Sequence, residues 1–158
     1  MTSFDKAFEI LIGHEGGYVN DSADRGGETK YGISKRAYPH IDIANLTLAQ
    51  AKEIYRTDYW DKVKCSSLPP DLALLVFDAA VNNGVGAASR WLQGAANVAV
   101  DGAIGPKTIA ASFSSGVAER FHAVRVDAMT KMPTWPNHGR GWAKRLASLP
   151  FNAAEMLK

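Results

Sequence analysis

The sequence predicts a mainly α, compact domain in which helices carry the core and a Gly-rich loop or short β-hairpin interrupts them near the start. Three observations predict it. Apolar residues recur at three-to-four spacing along most of the chain, capping boxes open two of those runs, and Gly, Pro and Asn clusters separate them. A length of 158 residues with 46% hydrophobic content is enough for one core and too short for two large ones.

The elements follow in order. Residues 2 to 15 read as an amphipathic helix, since Thr2 with Asp5 resembles a capping box and Phe4, Ala7, Phe8 and Leu11 share a face. Gly16 and Gly17 are expected to end it. The stretch YVNDSADRGGETKYGIS is dense in Asn, Asp, Ser and Gly and reads as a loop with a short hairpin. A second capped helix starts at Thr47 with Gln50 closing the box, and should fade near Trp60. Pro69 and Pro70 form a rigid joint, after which Asp71 caps LALLVFDAAVNNG. That helix is apolar on nearly every side in its first turns, so it is expected at the centre of the core. Gly86 to Gln93 reads as a short helix carrying Trp91, and VDGAIGPKT gives a turn at Asp101 and Gly102 with a helix start at Pro106. Residues 117 to 130 place Val117, Phe121, Val124 and Ala128 on one face, with Pro133 closing the helix and a last helix over Gly141 to Leu149.

Composition excludes several function classes. A single cysteine, Cys65, permits no internal disulfide and reads as a small buried hydrophobe. His14 has no companion at metal-ligand spacing, so no metal site is expected. The segment MTSFDKAFEILIG carries Asp5, Lys6 and Glu9 within its apolar run, which argues against a secretory signal peptide, and nothing is apolar enough to insert stably in a membrane. The net charge is only +2, but residues 119 to 158 hold seven Lys/Arg against three Asp/Glu. A basic end draws a protein to a polyanion, or is simply a solvated helix face. Helix-turn-helix spacing, zinc patterns and aromatic-basic interleaving are missing, so nucleic acid is not an expected partner.

The residues able to do chemistry gather early. Glu15 follows Phe4, Phe8 and Leu11 at intervals that put its carboxyl on the apolar face, near the last turn of the expected helix. Desolvation and the negative end of the helix dipole would both disfavour its charged form. Raising a glutamate from about 4.3 to about 6 costs roughly 2.3 kcal/mol, which a half-buried site can supply. An acid held protonated near neutrality can give its proton to a leaving oxygen, as glycosidic cleavage requires. From position alone, a glutamate reaching into solvent at a frayed helix end is the simpler explanation. The loop shifts that balance, because Asp24 and Thr29 follow across Gly26 and Gly27 and a second carboxylate can face the first. Asp24 would position or activate water while Thr29 holds that water or orients the carboxylate. Asx-turn and hairpin roles account for the same two residues, and Asp21 is a rival for the second acid. Tyr18 and Tyr31 flank the loop and are the favoured sugar-stacking candidates over Trp60 and Trp135. Asn82 and Asn83, at the end of the central helix, can hydrogen-bond a ligand or cap the helix.

HEGGYVNDSADRGGETKYGIS resembles the signature of family 108 glycoside hydrolases, N-acetylmuramidases of phage endolysins and related bacterial secretion systems. The resemblance implies a lysozyme-like helical fold and makes Glu15, in the E-G-G-Y element, the essential acid. The Glu, Asp, Thr spacing also resembles the phage lysozyme arrangement, with one residue fewer between Asp24 and Thr29. FDAAVNNG, WLQGA, VDGAIGPKT and GRGWAKR are similar to the peptidoglycan-binding region that follows the catalytic segment in such proteins. The implied organisation is a catalytic segment at 1–68 and a helical peptidoglycan-binding region at 69–158, packed as one unit. Peptidoglycan glycan strands are then the expected partner of a monomer that needs no cofactor. The chain would be made in the bacterial host cytoplasm and act in the periplasm or cell wall. A wall-binding module without turnover and a lytic transglycosylase are the competing readings.

Overall fold

The computed structural model describes residues 1–13, 17–23 and 25–158. Among these residues the chain is mainly helical, as its periodicity predicts: α1 (Ser3–Ile12), α2 (Leu48–Tyr55), α3 (Pro70–Asn83), α4 (Val85–Ala95), α5 (Pro106–Ser112), α6 (Val117–Thr130) and α7 (Trp135–Glu155). The expected hairpin is a small antiparallel sheet in the order β1 (Val19–Asn20), β2 (Glu28–Lys30), β3 (Ile33–Ser34). Lys30 pairs with Ile33, so Tyr31 and Gly32 alone make the turn between β2 and β3. Both have positive φ, 51° and 76°, as the hairpin turns that match strand twist require.

Both capping boxes form. The Thr2 side chain accepts from the Asp5 N–H while the Asp5 carboxylate accepts from the Thr2 N–H, and Thr47 with Gln50 repeats the arrangement. Helix α1 nevertheless closes at Ile12, with Gly13 at φ 58° as its C-cap, earlier than the Gly16–Gly17 pair expected to stop it. One glycine with a left-handed φ suffices to turn the chain away. Helix α2 fades near Trp60 as expected, passing into a π-helical turn over Arg56–Trp60. Asp71 is not the cap of α3: the helix begins at Pro70 and Asp71 lies in its first turn, where its charge favours the dipole.

Helix α3 is the central helix. Its residues from Leu72 to Ala80 are all buried, and Phe77 meets Phe4 and Trp60 at ring-centroid distances of 6.0 and 5.3 Å. Tyr55 and Phe8 extend this edge-to-face cluster, 5.6 Å apart. Buried residues of both halves of the chain, from Phe4 to Met156, belong to one hydrophobic cluster. Trp60, only 1% exposed, is thereby spent on the core and unavailable for stacking on a sugar.

Two helices depart from expectation for identifiable reasons. On α6 the buried residues are Val117, Phe121, Arg125 and Met129, whereas Val124 is exposed. The face is rotated because Arg125 is drawn inward to the buried carboxylate of Asp78 on α3, at 2.6 Å. Helix α7 starts earlier than Gly141 and continues beyond Leu149, through Pro150. Proline has no N–H to give the Leu146 carbonyl one turn back. The Nε2–H of His122, on α6, donates to that carbonyl at 2.9 Å instead, so the helix proceeds with its backbone acceptor satisfied.

Candidate active site

A cleft of about 260 Å3 opens where five parts of the chain converge. Leu11 and Ile12 contribute the end of α1, Tyr31 and Gly32 the β2–β3 turn, Tyr55 the end of α2, Val81 and Asn82 the end of α3, and Arg145 the middle of α7. Each is placed by local rules. The turn is held against α2 because the Tyr55 hydroxyl donates to the Tyr31 carbonyl at 2.9 Å. Burial pushes the Tyr55 phenol up to about 12, so it remains a neutral donor. Gly32 has to be glycine, since a Cβ there would stand 2.3 Å from that hydroxyl.

The end of α1 brings its own electrostatics. The negative end of its dipole meets no basic side chain in its last turn, and Ile12, its final residue, borders the cleft. Leu11, Ile12 and Val81 make that wall apolar. Among the described residues lining the cleft there is no carboxylic acid, and its charged member is Arg145.

Arg145 is aimed by a buried ion network. Asp78, with a side chain 2% exposed, takes a hydrogen bond from Arg145 Nε at 2.9 Å on Oδ1 and from Arg125 Nη1 at 2.6 Å on Oδ2. The Arg145 Nη2 donates to the same Oδ1. Arg125 is fully enclosed and also donates through Nε to Asn83 Oδ1 at 3.0 Å, and burial lowers its pKa. A carboxylate removed from water needs such partners.

Of the sequence-derived candidates, the cleft brings together Tyr31 and Asn82. The Asn82 side-chain amide donates back to the Asp78 carbonyl at 2.8 Å, which leaves its oxygen for other contacts. Asn83 is not among the lining residues of the cleft, and its Oδ1 accepts from Arg125. Tyr18 lies outside the cleft wall, exposed on the loop, with its hydroxyl donating to Glu28 at 2.8 Å. That carboxylate raises the Tyr18 phenol pKa. Thr29 sits in the middle strand, paired with Val19 and Ser34, on the sheet face opposite Glu28 and Lys30. Trp135 packs over Gly139 and against Trp142 at 5.9 Å, away from the cleft's lining residues. Glu15, Asp24 and His14 lie outside the described residues.

Sequence reasoning missed Arg145, Tyr55 as a cleft residue, and Asp78. The available signal was Asp78 itself, one acid inside LALLVFDAAV, because a carboxylate in so apolar a helix demands cations from elsewhere. The VDGAIGPKT element forms a turn braced from α4. The buried Gln93 amide accepts from the Asp101 and Gly102 N–H groups and donates to the Asp101 carboxylate and the Ala103 carbonyl, fixing the turn. No group of three or more potential metal ligands occurs among the described residues, and no described helix is long and apolar enough to cross a membrane.

Comparison with known proteins agrees with this architecture. The sequence model of glycosyl hydrolase 108 matches residues 8–84, a stretch containing Glu15, Asp24 and Thr29 together with Tyr31 and Asn82. The structure of Brucella abortus SagA is similar at 30% identity with a TM-score of 0.86, over 98% of this chain and 95% of that one. No curated protein sequence matches significantly. A family match across the loop segment and a shared fold over almost the full length lead to one conclusion: the chain belongs to glycosyl hydrolase family 108 and is a glycoside hydrolase of the N-acetylmuramidase kind.

Proposed function

We propose that the chain hydrolyses the β-1,4 bond between N-acetylmuramic acid and N-acetylglucosamine in peptidoglycan, with Glu15 as general acid. Asp24 assists attack by water, and Thr29 holds that water or orients the carboxylate. The observation that carries this reading is the cleft at the C-terminal end of α1. Its wall ends at Ile12, and Glu15 follows three residues later in the chain, within the family-matched stretch. An apolar wall and a helix C-terminus with no basic side chain in its last turn both favour the protonated form of a nearby carboxyl, against the opposite pull of the Arg145 charge across the cleft. Tyr31 and Asn82 serve as sugar contacts, and Tyr18 reaches the glycan from the loop.

The two segments divide the work in this reading. Residues 1–68 supply the acid and the hairpin, and residues 69–158 hold the glycan strand from the opposite wall, where Val81, Asn82 and Arg145 stand. The protein would act as a monomer on peptidoglycan of the periplasm or cell wall, in the manner of an endolysin.

The test is incubation of purified protein with isolated sacculi, followed by mass spectrometry of the soluble fragments. Hydrolysis releases muropeptides with new reducing N-acetylmuramic acid ends. Anhydro-sugar ends would identify a lytic transglycosylase instead, and binding without release would identify a wall-binding module.

A further inference from the structure

Arg145 stands apart from the rest of the cleft because its charge is both fixed in place and left over. Asp78 is shared between two guanidinium groups, so the buried cluster Arg125–Asp78–Arg145 carries one surplus positive charge. Arg125 is sealed in the core with a side chain 1% exposed, while the Arg145 side chain is 39% exposed and borders the cleft. The surplus is therefore presented on the cleft side. Asp78 holds Arg145 through Nε and Nη2, leaving Nη1 with no hydrogen bond among the described residues. A guanidinium pinned along one edge with a donor remaining is preorganised for a carboxylate, which it recognises by charge and by paired N–H groups.

We infer that Arg145 is a specificity-determining residue that binds a carboxylate carried on the muramic acid side of the substrate. The inference rests on the peptidoglycan reading above. A bare polymer of N-acetylglucosamine offers no anion, whereas muramic acid bears a lactyl group on O3. That group ends in a carboxylate where the stem peptide has been removed, and in a peptide with carboxylates of its own where it is present. Either source presents the same chemistry to Arg145. Asp78 and Arg125 act as positioning residues: the first aims the guanidinium and the second keeps Asp78 from cancelling its charge.

The experiment compares kcat/KM for reducing-end release by the wild type, Arg145→Lys and Arg145→Gln. Four substrates are used: intact sacculi, sacculi stripped of stem peptides, and each of these after carbodiimide coupling to ammonia, which turns carboxylates into carboxamides of nearly equal size. A charge-assisted contact predicts that amidation slows the wild type about tenfold or more on at least one pair. The pair that responds identifies the lactyl or the stem-peptide carboxylate. Arg145→Gln should lose a similar factor on the native substrate and be indifferent to amidation, with Arg145→Lys in between. Equal wild-type rates on native and amidated substrates overturn the inference, and need no variant to fold. So does an Arg145→Gln loss of the same size on native and amidated glycan, which would make Arg145 a structural residue only. Absence of reducing ends from every substrate would instead remove the hydrolase reading on which the inference stands.

Discussion

Individual side chains decide whether the cleft exists. Gly32 turns the hairpin with φ 76° directly beneath the Tyr55 hydroxyl, and the same hydroxyl ties the turn to α2. Gly32→Ala combines a disfavoured left-handed backbone with a 2.3 Å clash, so Tyr55 must leave its place. The expected loss is about 1–3 kcal/mol of stability, read from the denaturant midpoint, with a fall in muramidase rate because three cleft residues shift together. His122 makes a prediction in pH. Its Nδ1 is buried with no hydrogen-bond partner among the described residues, and burial, then the nearby Arg125 charge, lowers its pKa below the ordinary 6.5. The unfolded chain thus takes up the proton first as pH falls. The stabilisation is complete above about pH 6.5 and is lost as pH drops from there through the lower folded-state value. Between about pH 7.5 and 5 the Tm of the wild type should fall more steeply than that of His122→Gln, which has nothing to titrate there. Parallel curves would contradict the assignment.

At the scale of elements, local signals were legible where they act through the backbone close by. The Thr47–Gln50 box was readable because both partners lie within one turn, and Thr47→Ala should cost about 1 kcal/mol in thermal or chemical unfolding. A loss near zero would mean that packing of Ala51 and Tyr55 alone holds α2. The hairpin was readable from its glycines and Tyr31 from its position beside them, although the strands themselves are only two or three residues long. Partners distant in sequence were not readable. Periodicity put Val124 and Ala128 on the inner face of α6, but the attraction between Arg125 and Asp78, 47 residues apart, rotates that face. The last helix was expected to end at Leu149, and the donor from His122 on another helix satisfies the carbonyl that Pro150 leaves free as α7 continues. The end of α1 was misjudged by the opposite kind of error, where a conspicuous Gly–Gly pair outweighed the single Gly13 that does the turning.

At the scale of the whole molecule, the central helix ties the core to the cleft. Helix α3 fills the core with one face after another and ends at Val81 and Asn82 in the cleft, while Asp78 within it aims Arg145 from α7. Helix α1 also ends at this cleft, with Leu11 and Ile12 in its wall. The mainly helical class, the central position of α3 and the family resemblance were all available from residues alone, because they depend on apolar periodicity and one dense motif. The Arg145 wall was hidden because nothing local in GRGWAKR tells an inward-aimed arginine from a solvated one. What remains decisive is the acid. The most direct measurement is the rate of reducing-end release from sacculi by Glu15→Gln beside the wild type, with circular dichroism and Tm establishing that the variant is folded. A general acid worth at least about a hundredfold predicts near-complete loss of rate with unchanged binding to sacculi. A folded variant that clears walls at close to the wild-type rate would contradict the account.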